Sequence, residues 1–451
     1  MSASRSNRTA TIEALEGRTL LAGNPLGVSE VELATGIQLR ITGTAAAETI
    51  TLKQSGNTLT VQSGGWSKTF DAGRLNDVRV DGGAGNDTIR ADASVKLPLA
   101  LLGGNGNDAL VGGAGNDTLY GGAGTDKLTG GNGDDVLVAV DGKRDQLTGN
   151  NGRDSFWGDA RTDRFADVSA AERKLNVHAV NSFATVQSAS GQQVKVGKNA
   201  VGGQLVDPAA DVASYTWADF SDRPLFATGG PSMDDVEQGQ VGDCYFLSVL
   251  GAVAETNATR IRESVVELGD GTYAVQFFRD GVAQYVRVDA DLPTFDGRTP
   301  AYAGLGADDS LWVAVMEKAW AFFRSPAQAG YAAINGGWMD ESFRALNATP
   351  VTTAATAALA TQLQSALKAG QAVTYATTNN PGNALIASHA YTVDSVVVDA
   401  AGRVTAIVLR NPWAVDGDAS TRVTGGSNDG VVVLPVAEAV AGCSGIVWAI
   451  A

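Results

Sequence analysis

The sequence predicts a multidomain protein in which an all-β, repeat-built N-terminal part precedes an α+β C-terminal part. Three observations carry that expectation: a nine-residue Gly/Asn/Asp repeat that begins after Val80, short apolar–polar alternation over residues 31–80, and a change of character in residues 206–451. Those last residues hold six of the eight Trp and read as helices first and strands later. The chain has 451 residues, 44% of them hydrophobic, which is enough for two or three domains with sizeable cores. Its 33 basic and 49 acidic side chains give a formal net charge of -16, which disfavours nucleic acid and anionic lipid as partners and favours cations. Two cysteines, Cys244 and Cys443, exclude a disulfide scaffold, and no Cys/His spacing suits zinc. No apolar run approaches the roughly 18 residues that a membrane-spanning helix needs.

Each element follows from local pattern. Residues 1–30 form a candidate leader or targeting segment. Within it, Ile12 to Leu21 carries paired Leu-Glu steps before an Arg and two Leu, but Glu13 and Glu16 interrupt the apolar centre that an ordinary secretory signal requires. Runs such as Leu39-Arg40-Ile41 and Leu59-Thr60-Val61-Gln62 then predict short strands that cap the repeat array. The array itself reads GGNGNDALV from Gly103, GGAGNDTLY from Gly112, GGAGTDKLT from Gly121 and GGNGDDVLV from Gly130. A further unit, GGAGNDTIR, stands upstream at Gly82, and two decayed units follow from Val140 and Gly149. Glycines permit turn backbone that other residues resist, and each Asp offers a hard oxygen ligand, so the pattern points to calcium. A flexible Gly-rich linker would not keep an apolar residue every nine positions. Residues 161–205 show no sustained period and are expected to be a linker with a short helix near Ala170 to Leu175.

Chemistry concentrates further on. In Gln238-Gly239-Gln240-Val241-Gly242-Asp243-Cys244-Tyr245-Phe246-Leu247-Ser248 a Gly-Asp turn meets a helix-like apolar pattern, placing Cys244 at a helix N-terminus, where the dipole and a neighbouring imidazolium would lower its thiol pKa. If Cys244 has a base it is His389, the one His in this region. His389 opens a strand pattern at Ala387-Ser388-His389-Ala390-Tyr391, and Asn411 ends another at Leu409-Arg410-Asn411-Pro412-Trp413. An Asn carbonyl there can orient the imidazole, with Trp413 shielding the bond.

The leader resembles one seen on large bacterial extracellular proteins, and the array resembles the RTX family. The second likeness implies a parallel β-roll over residues 31–160, with calcium held by Asp87, Asp108, Asp117, Asp126 and Asp135 and with Asp145 and Asp154 in the decayed units. Without cations the rows of carboxylates should repel, so folding and calcium should be linked. The Cys, His and Asn segments, with Leu311 to Trp320 and Gly336-Gly337 between them, resemble the calpain family of papain-like cysteine proteases. That likeness implies a two-lobed α+β core, lobe I over residues 206–348 and lobe II over 349–451. It assigns Cys244 as nucleophile, His389 as acid and base, Asn411 as ring orienter and Gln238 as oxyanion donor.

The family's core calcium site maps to Asp235 and Glu341, with the backbone oxygens of Thr228 and Gly230. A second core calcium is not expected, because residues 414–430 depart from the family pattern. Cys443 reads as a small core residue. The implied protein is a calcium-dependent cysteine endopeptidase acting on protein or peptide substrates, outside a bacterium or on its surface. An acyl transferase of transglutaminase type, or a decayed calcium-binding adhesion protein, are the other readings. Asn411 in place of Asp disfavours the first, and the complete triad disfavours the second.

Overall fold

The computed structural model describes residues 26–449 apart from 34–35, 188–191, 198–204, 327–329, 355, 357, 383–384 and 416–428. The candidate leader at Ile12 to Leu21 lies outside the described residues. The N-terminal part is a parallel β-solenoid of two facing sheets, wound so that successive nine-residue units feed alternate sheets. In the first sheet, strands Gly36–Thr42, Leu75–Asp81, Leu99–Asn105, Thr118–Ala123, Val136–Ala139, Ser155–Asp159 and Val177–Val180 run parallel. In the second, Thr49–Ser55, Thr88–Ala91, Ala109–Val111, Lys127–Asn132, Gln146–Asn151 and Arg164–Ala166 do the same.

The register stacks like on like. Leu101, Leu119, Leu137 and Phe156 stand in line on one sheet, and Ile89, Leu110, Leu128 and Leu147 on the other. All eight are fully buried between the sheets. Each fully buried aliphatic side chain contributes roughly 1.5–3 kcal/mol, and the ladders continue into the buried Leu39, Ile41, Ile50 and Leu52 of the N-terminal strands. Glycine is required where coils stack: a Cβ on Gly106, whose φ is +144°, would lie 1.5 Å from the carbonyl oxygen of Gly85.

The N-terminal cap is more integrated than alternation implied. Gly36–Thr42, Thr49–Ser55 and Leu75–Asp81 are themselves parallel strands of the roll, while Gly27–Leu33, Thr58–Ser63 and Trp66–Asp71 close its edges antiparallel. Residues 161–205 differ from the expected linker. Arg164–Ala166 and Val177–Val180 extend the two sheets, and the expected helix spans Ala170–Leu175 with a Ser169/Glu172 capping box. Nonapeptide spacing is lost there, although burial of Phe165 and Val177 against the ladder ends continues the same packing.

The C-terminal part is mixed α/β. Helices Cys244–Thr256 and Trp312–Arg324 pack with an antiparallel sheet of Val265–Glu267, Thr272–Arg279 and Val282–Asp289. Phe246 stacks on Trp320 at 4.6 Å between ring centroids, joining the two helices. A six-stranded antiparallel sheet follows, ordered Val351–Thr353, Cys443–Ala449, Ala372–Thr377, Ala390–Val398, Val404–Arg410, Val431–Pro435, with helices Leu359–Lys368 and Val436–Gly442. The expected order of helices then strands is therefore too simple, because each lobe carries both. Short strands such as Val351–Thr353, completed by the distant Cys443–Ala449, give no periodic signal of their own.

Candidate functional site

The roll's turns bring the repeat carboxylates into two ladders. Along one, Oδ1 of Asp87, Asp108, Asp126, Asp145 and Asp163 accepts the backbone N–H of Glu48, Asp87, Asp108, Asp126 and Asp145 in turn, at 2.6–3.0 Å. Along the other, Asp117, Asp135 and Asp154 accept from Leu99, Asp117 and Asp135, and Glu172 of the capping helix accepts from Asp154. Glu172 thus stands where the next repeat's Asp would be. The second oxygen, Oδ2, is buried without a hydrogen-bond partner in Asp87, Asp108, Asp126, Asp135, Asp145 and Asp154. In Asp117 it accepts from Gly113 instead.

An orphaned buried carboxylate oxygen is costly unless a cation meets it. Backbone oxygens lie beside these orphans: a Cβ added to Gly103 would come within 2.4 Å of Asp108 Oδ2 and 2.5 Å of the Gly121 carbonyl oxygen. Carboxylate and carbonyl oxygens converging on a Gly-lined hollow are the donor set calcium takes, so these residues fit the ion. Burial, joined by neighbouring carboxylates, raises the pKa of Asp126 to about 7 and of Asp135 and Asp145 to about 8. Sequence reasoning missed one unit, GDARTDRFA from Gly158, which supplies Asp163 and puts Phe165 at the apolar position. Asp159 and Arg161 at its second and fourth positions, together with an aromatic at the apolar one, leave too little of the glycine pattern to mark it.

The cleft residues converge from three elements. Cys244 is the first residue of helix Cys244–Thr256. His389 immediately precedes strand Ala390–Val398, and its backbone is fixed by Thr377, which accepts the His389 N–H through Oγ1 at 2.8 Å and donates its own N–H to the His389 carbonyl at 2.9 Å. Asn411 follows strand Val404–Arg410, paired in the same sheet. Thr392 Oγ1 donates to the Ser248 carbonyl at 2.7 Å, tying the helix to the His strand.

Within this frame Asn411 Oδ1 accepts from His389 Nε2 at 2.8 Å, while Asn411 Nδ2 donates to the Val415 carbonyl at 2.8 Å. That pairing fixes both the amide orientation and the Nε2–H tautomer. Trp413 covers the ring at 4.9 Å between centroids and donates its backbone N–H to the same Asn oxygen at 3.1 Å. The backbone N–H groups of Ala390 and of Tyr245, in the helix's first turn, both favour the Cys244 thiolate. Among the described residues the sulfur and the imidazole form no hydrogen bond with each other.

Electrostatics depart from the expected depressed thiol. Burial pushes the Cys244 thiol up to about 11, against the N–H donors and with the Asp243 charge adding to the rise. Burial also holds His389 down at about 4, despite the Asn411 bond. Desolvation outweighs the helix dipole here because His389 is buried and Cys244 is half-buried, and the resting pair is neutral thiol and neutral imidazole. Beneath the sulfur, Asp243 and Glu317 face each other fully buried, and burial raises both above the usual carboxylate range. Two carboxyls this close share a proton.

Gln238 donates its side-chain Nε2 to the Val241 carbonyl at 2.6 Å, and its backbone N–H to Pro412 at 2.7 Å, joining the Gln loop to the Asn turn. Among the described residues the other amide hydrogen has no acceptor. A cleft of about 430 Å³ opens beside it, lined by Glu237, Gln240, Phe295, Arg298 and Tyr302 among others. Asp235 and Glu341 are not brought together by any contact. Asp235 is buried and accepts from Ser232 N–H, Ala307 N–H and Trp312 Nε1–H, each at 2.9 Å. Glu341 is half-exposed and pairs with Arg324 at 3.3 Å. Cys443 is buried in the second lobe's core.

Residues 202–422 match the family model described as calpain family cysteine protease. Residues 73–94, 102–137 and 140–164 match the family model described as RTX calcium-binding nonapeptide repeat (4 copies). Among curated proteins, a calpain-type cysteine protease of Zea mays is 33% identical over 126 residues, 27% of this chain and 6% of the relative. The calpain-2 catalytic subunit of Bos taurus is 31% identical over 130 residues, 28% of this chain and 18% of the relative. Calpain-B of Drosophila melanogaster is 26% identical over 233 residues, 45% of this chain and 24% of the relative. The chain therefore spans less than a quarter of the length of these relatives. Among the described residues no helix is long and apolar enough to cross a membrane.

Proposed function

We propose that this chain, which joins RTX calcium-binding repeats to a calpain-family cysteine protease domain, is a calcium-dependent cysteine endopeptidase using Cys244, His389 and Asn411. The observation that carries the reading is the fixed tautomer: the Nε2–H bond to Asn411 leaves the Nδ1 lone pair of His389 as the base. Ala390, next in the chain to His389, acts through its N–H on the Cys244 thiol, which supports that base and the thiol sharing one cleft.

Nδ1 takes the thiol proton, and Sγ attacks the peptide carbonyl carbon to form a C–S bond. The oxyanion accepts from the Cys244 backbone N–H and from the uncommitted Gln238 amide hydrogen. On collapse the C–N bond breaks, and His389 protonates the departing amine. His389 then deprotonates water, which displaces the sulfur, releases the acid and restores the thiol. Losing the Gln238 donor lowers turnover on the order of 100-fold. The cleft between Glu237 and Phe295 suits an extended peptide carrying both apolar and charged side chains.

Bound calcium supplies the positive charge that the roll's carboxylates lack. At the core, Asp235 and Glu341 with the Thr228 and Gly230 carbonyls would hold a further calcium only if Glu341 gave up Arg324 and Asp235 some of its three N–H donors. Calcium-sparse compartments would leave such a roll underfilled, which supports extracellular or cell-surface placement. The test is labelling with an epoxide probe read by peptide mass spectrometry. One adduct at Cys244 in calcium, lost in Cys244→Ala and in His389→Ala, is expected; a folded, calcium-loaded chain that takes no adduct contradicts the reading.

A further inference from the structure

Asp243 begins the nucleophile's helix without capping it. Its carbonyl accepts the N–H of Phe246 at 2.7 Å and of Leu247 at 3.1 Å, yet its side chain makes no cap bond, although Asp is among the strongest capping residues. The carboxyl is committed elsewhere. Asp243 and Glu317 are both fully buried, and among the described residues neither Asp243 oxygen nor Glu317 Oε1 meets an N–H donor. Each carboxyl is the other's side-chain hydrogen-bond partner, which one shared hydrogen allows. Glu317 has a further bond: its Oε2 accepts the Ala303 N–H at 2.9 Å. The neighbours of Ala303 hold the Gln238 loop from both flanks. The Ala301 carbonyl accepts from the Gln240 N–H at 3.0 Å, and the Gly304 N–H donates to the Glu237 carbonyl at 2.7 Å. Contact there is close, since a Cβ on Gly239 would lie 2.1 Å from the Tyr302 carbonyl oxygen.

We infer that Glu317, with Asp243, is a positioning residue that holds the two oxyanion donors, the Cys244 N–H and the Gln238 side chain, at a fixed separation. This rests on the endopeptidase reading. Glu317 stands in the middle of helix Trp312–Arg324 and touches no reacting atom; through its two bonds it reaches the residue before Cys244 and the loop that braces Gln238. Apolar side chains of similar volume would join the two helices without desolvating two carboxyls, so packing alone does not account for the pair. An oxyanion hole, by contrast, depends on donors held in place before the charge develops.

Steady-state hydrolysis of a fluorogenic peptide by the full chain in saturating calcium tests this. Glu317→Ala is expected to lower kcat about 10- to 100-fold with KM within about twofold, the effect of donors displaced by about 1 Å. Glu317→Gln is expected to stay within about threefold of the parent, because its carbonyl can accept from Ala303 while its amide donates to Asp243. Added to Gln238→Ala, Glu317→Ala is expected to cost less than about threefold more, since the hole is already broken. Losses that multiply, or Glu317→Gln falling as far as Glu317→Ala, overturn the inference. Hydrogen exchange on the calcium-loaded parent needs neither a variant nor turnover. The Ala303 N–H is expected to exchange as slowly as those of Phe246 and Leu247, in one opening unit. Exchange at Ala303 about 100-fold faster overturns the inference, whereas a parent that keeps Ala303 protected but hydrolyses nothing overturns the protease reading instead.

Discussion

At Cys244 two effects oppose each other, and burial prevails over the helix N-terminus. The N–H groups of Ala390 and Tyr245 favour thiolate, yet the covered sulfur is pushed up to about 11. His389 is held at about 4, so no imidazolium is present near neutrality to offset this. Iodoacetamide labelling of Cys244 in chelator should therefore be slow at pH 7 and accelerate about tenfold per pH unit toward 11. Fast labelling at pH 7, flat with pH, would contradict the neutral pair. The residue identities were legible in the sequence because a Gly-Asp-Cys turn, a single local His and an Asn-Pro-Trp step each carry local chemistry. The titration behaviour was not, because desolvation depends on which distant segments cover the sulfur, and Ala390 lies 146 positions away in the chain numbering.

At the scale of the coil, proton and calcium compete for the same oxygens. The carboxyls of Asp117, Asp126, Asp135 and Asp145 titrate at about 7 to 8 when folded, against 3.8 as the ordinary value. The folded roll thus holds more protons than the unfolded chain between those limits, and its stability falls as pH rises through that window. In chelator, the melting temperature of the roll should drop between pH 4 and pH 8. Saturating calcium should remove or reverse the slope, since binding requires ionised carboxylates. A chelated roll that melts higher at pH 8 than at pH 5 would contradict this account. Nine-residue spacing disclosed the regular coils, with Leu110, Leu119, Leu128 and Leu137 falling at the apolar position. It did not disclose the ends, where Val177 and Glu172 continue ladder and turn with different residue types.

Across the whole molecule, roll and protease share one apolar core. Leu102, Tyr120, Val138, Trp157 and Val180 on the roll's outer face pack with Tyr273, Val286 and Val288 of the first lobe. Trp157 is fully buried, stacked on His178 at 4.0 Å and edge-on to Tyr285 at 6.1 Å. His178, Asn176 and Ser155 all bond Glu263 of that lobe, at 2.7–3.0 Å. Calcium that orders the roll should therefore also stabilise the lobe that carries Cys244. Trp157→Ala should cost about 3–5 kcal/mol. In calorimetry of the calcium-loaded chain it should split one unfolding transition into two, and a parent that already shows two separate transitions, unchanged in the variant, would contradict the coupling. The sequence divided cleanly into repeats and protease; that the two are joined through Trp157 and Glu263 follows from residues more than 100 positions apart, which no window of sequence displays.

The most direct test is casein cleavage by the full chain in calcium and in excess chelator, with Cys244→Ala and Asn411→Ala alongside. Cleavage in calcium that chelator stops, that Cys244→Ala abolishes and that Asn411→Ala lowers at least about 100-fold is the predicted result. Cleavage that survives Cys244→Ala, or its absence from a folded, calcium-loaded parent whose Cys244 accepts the epoxide, would contradict it.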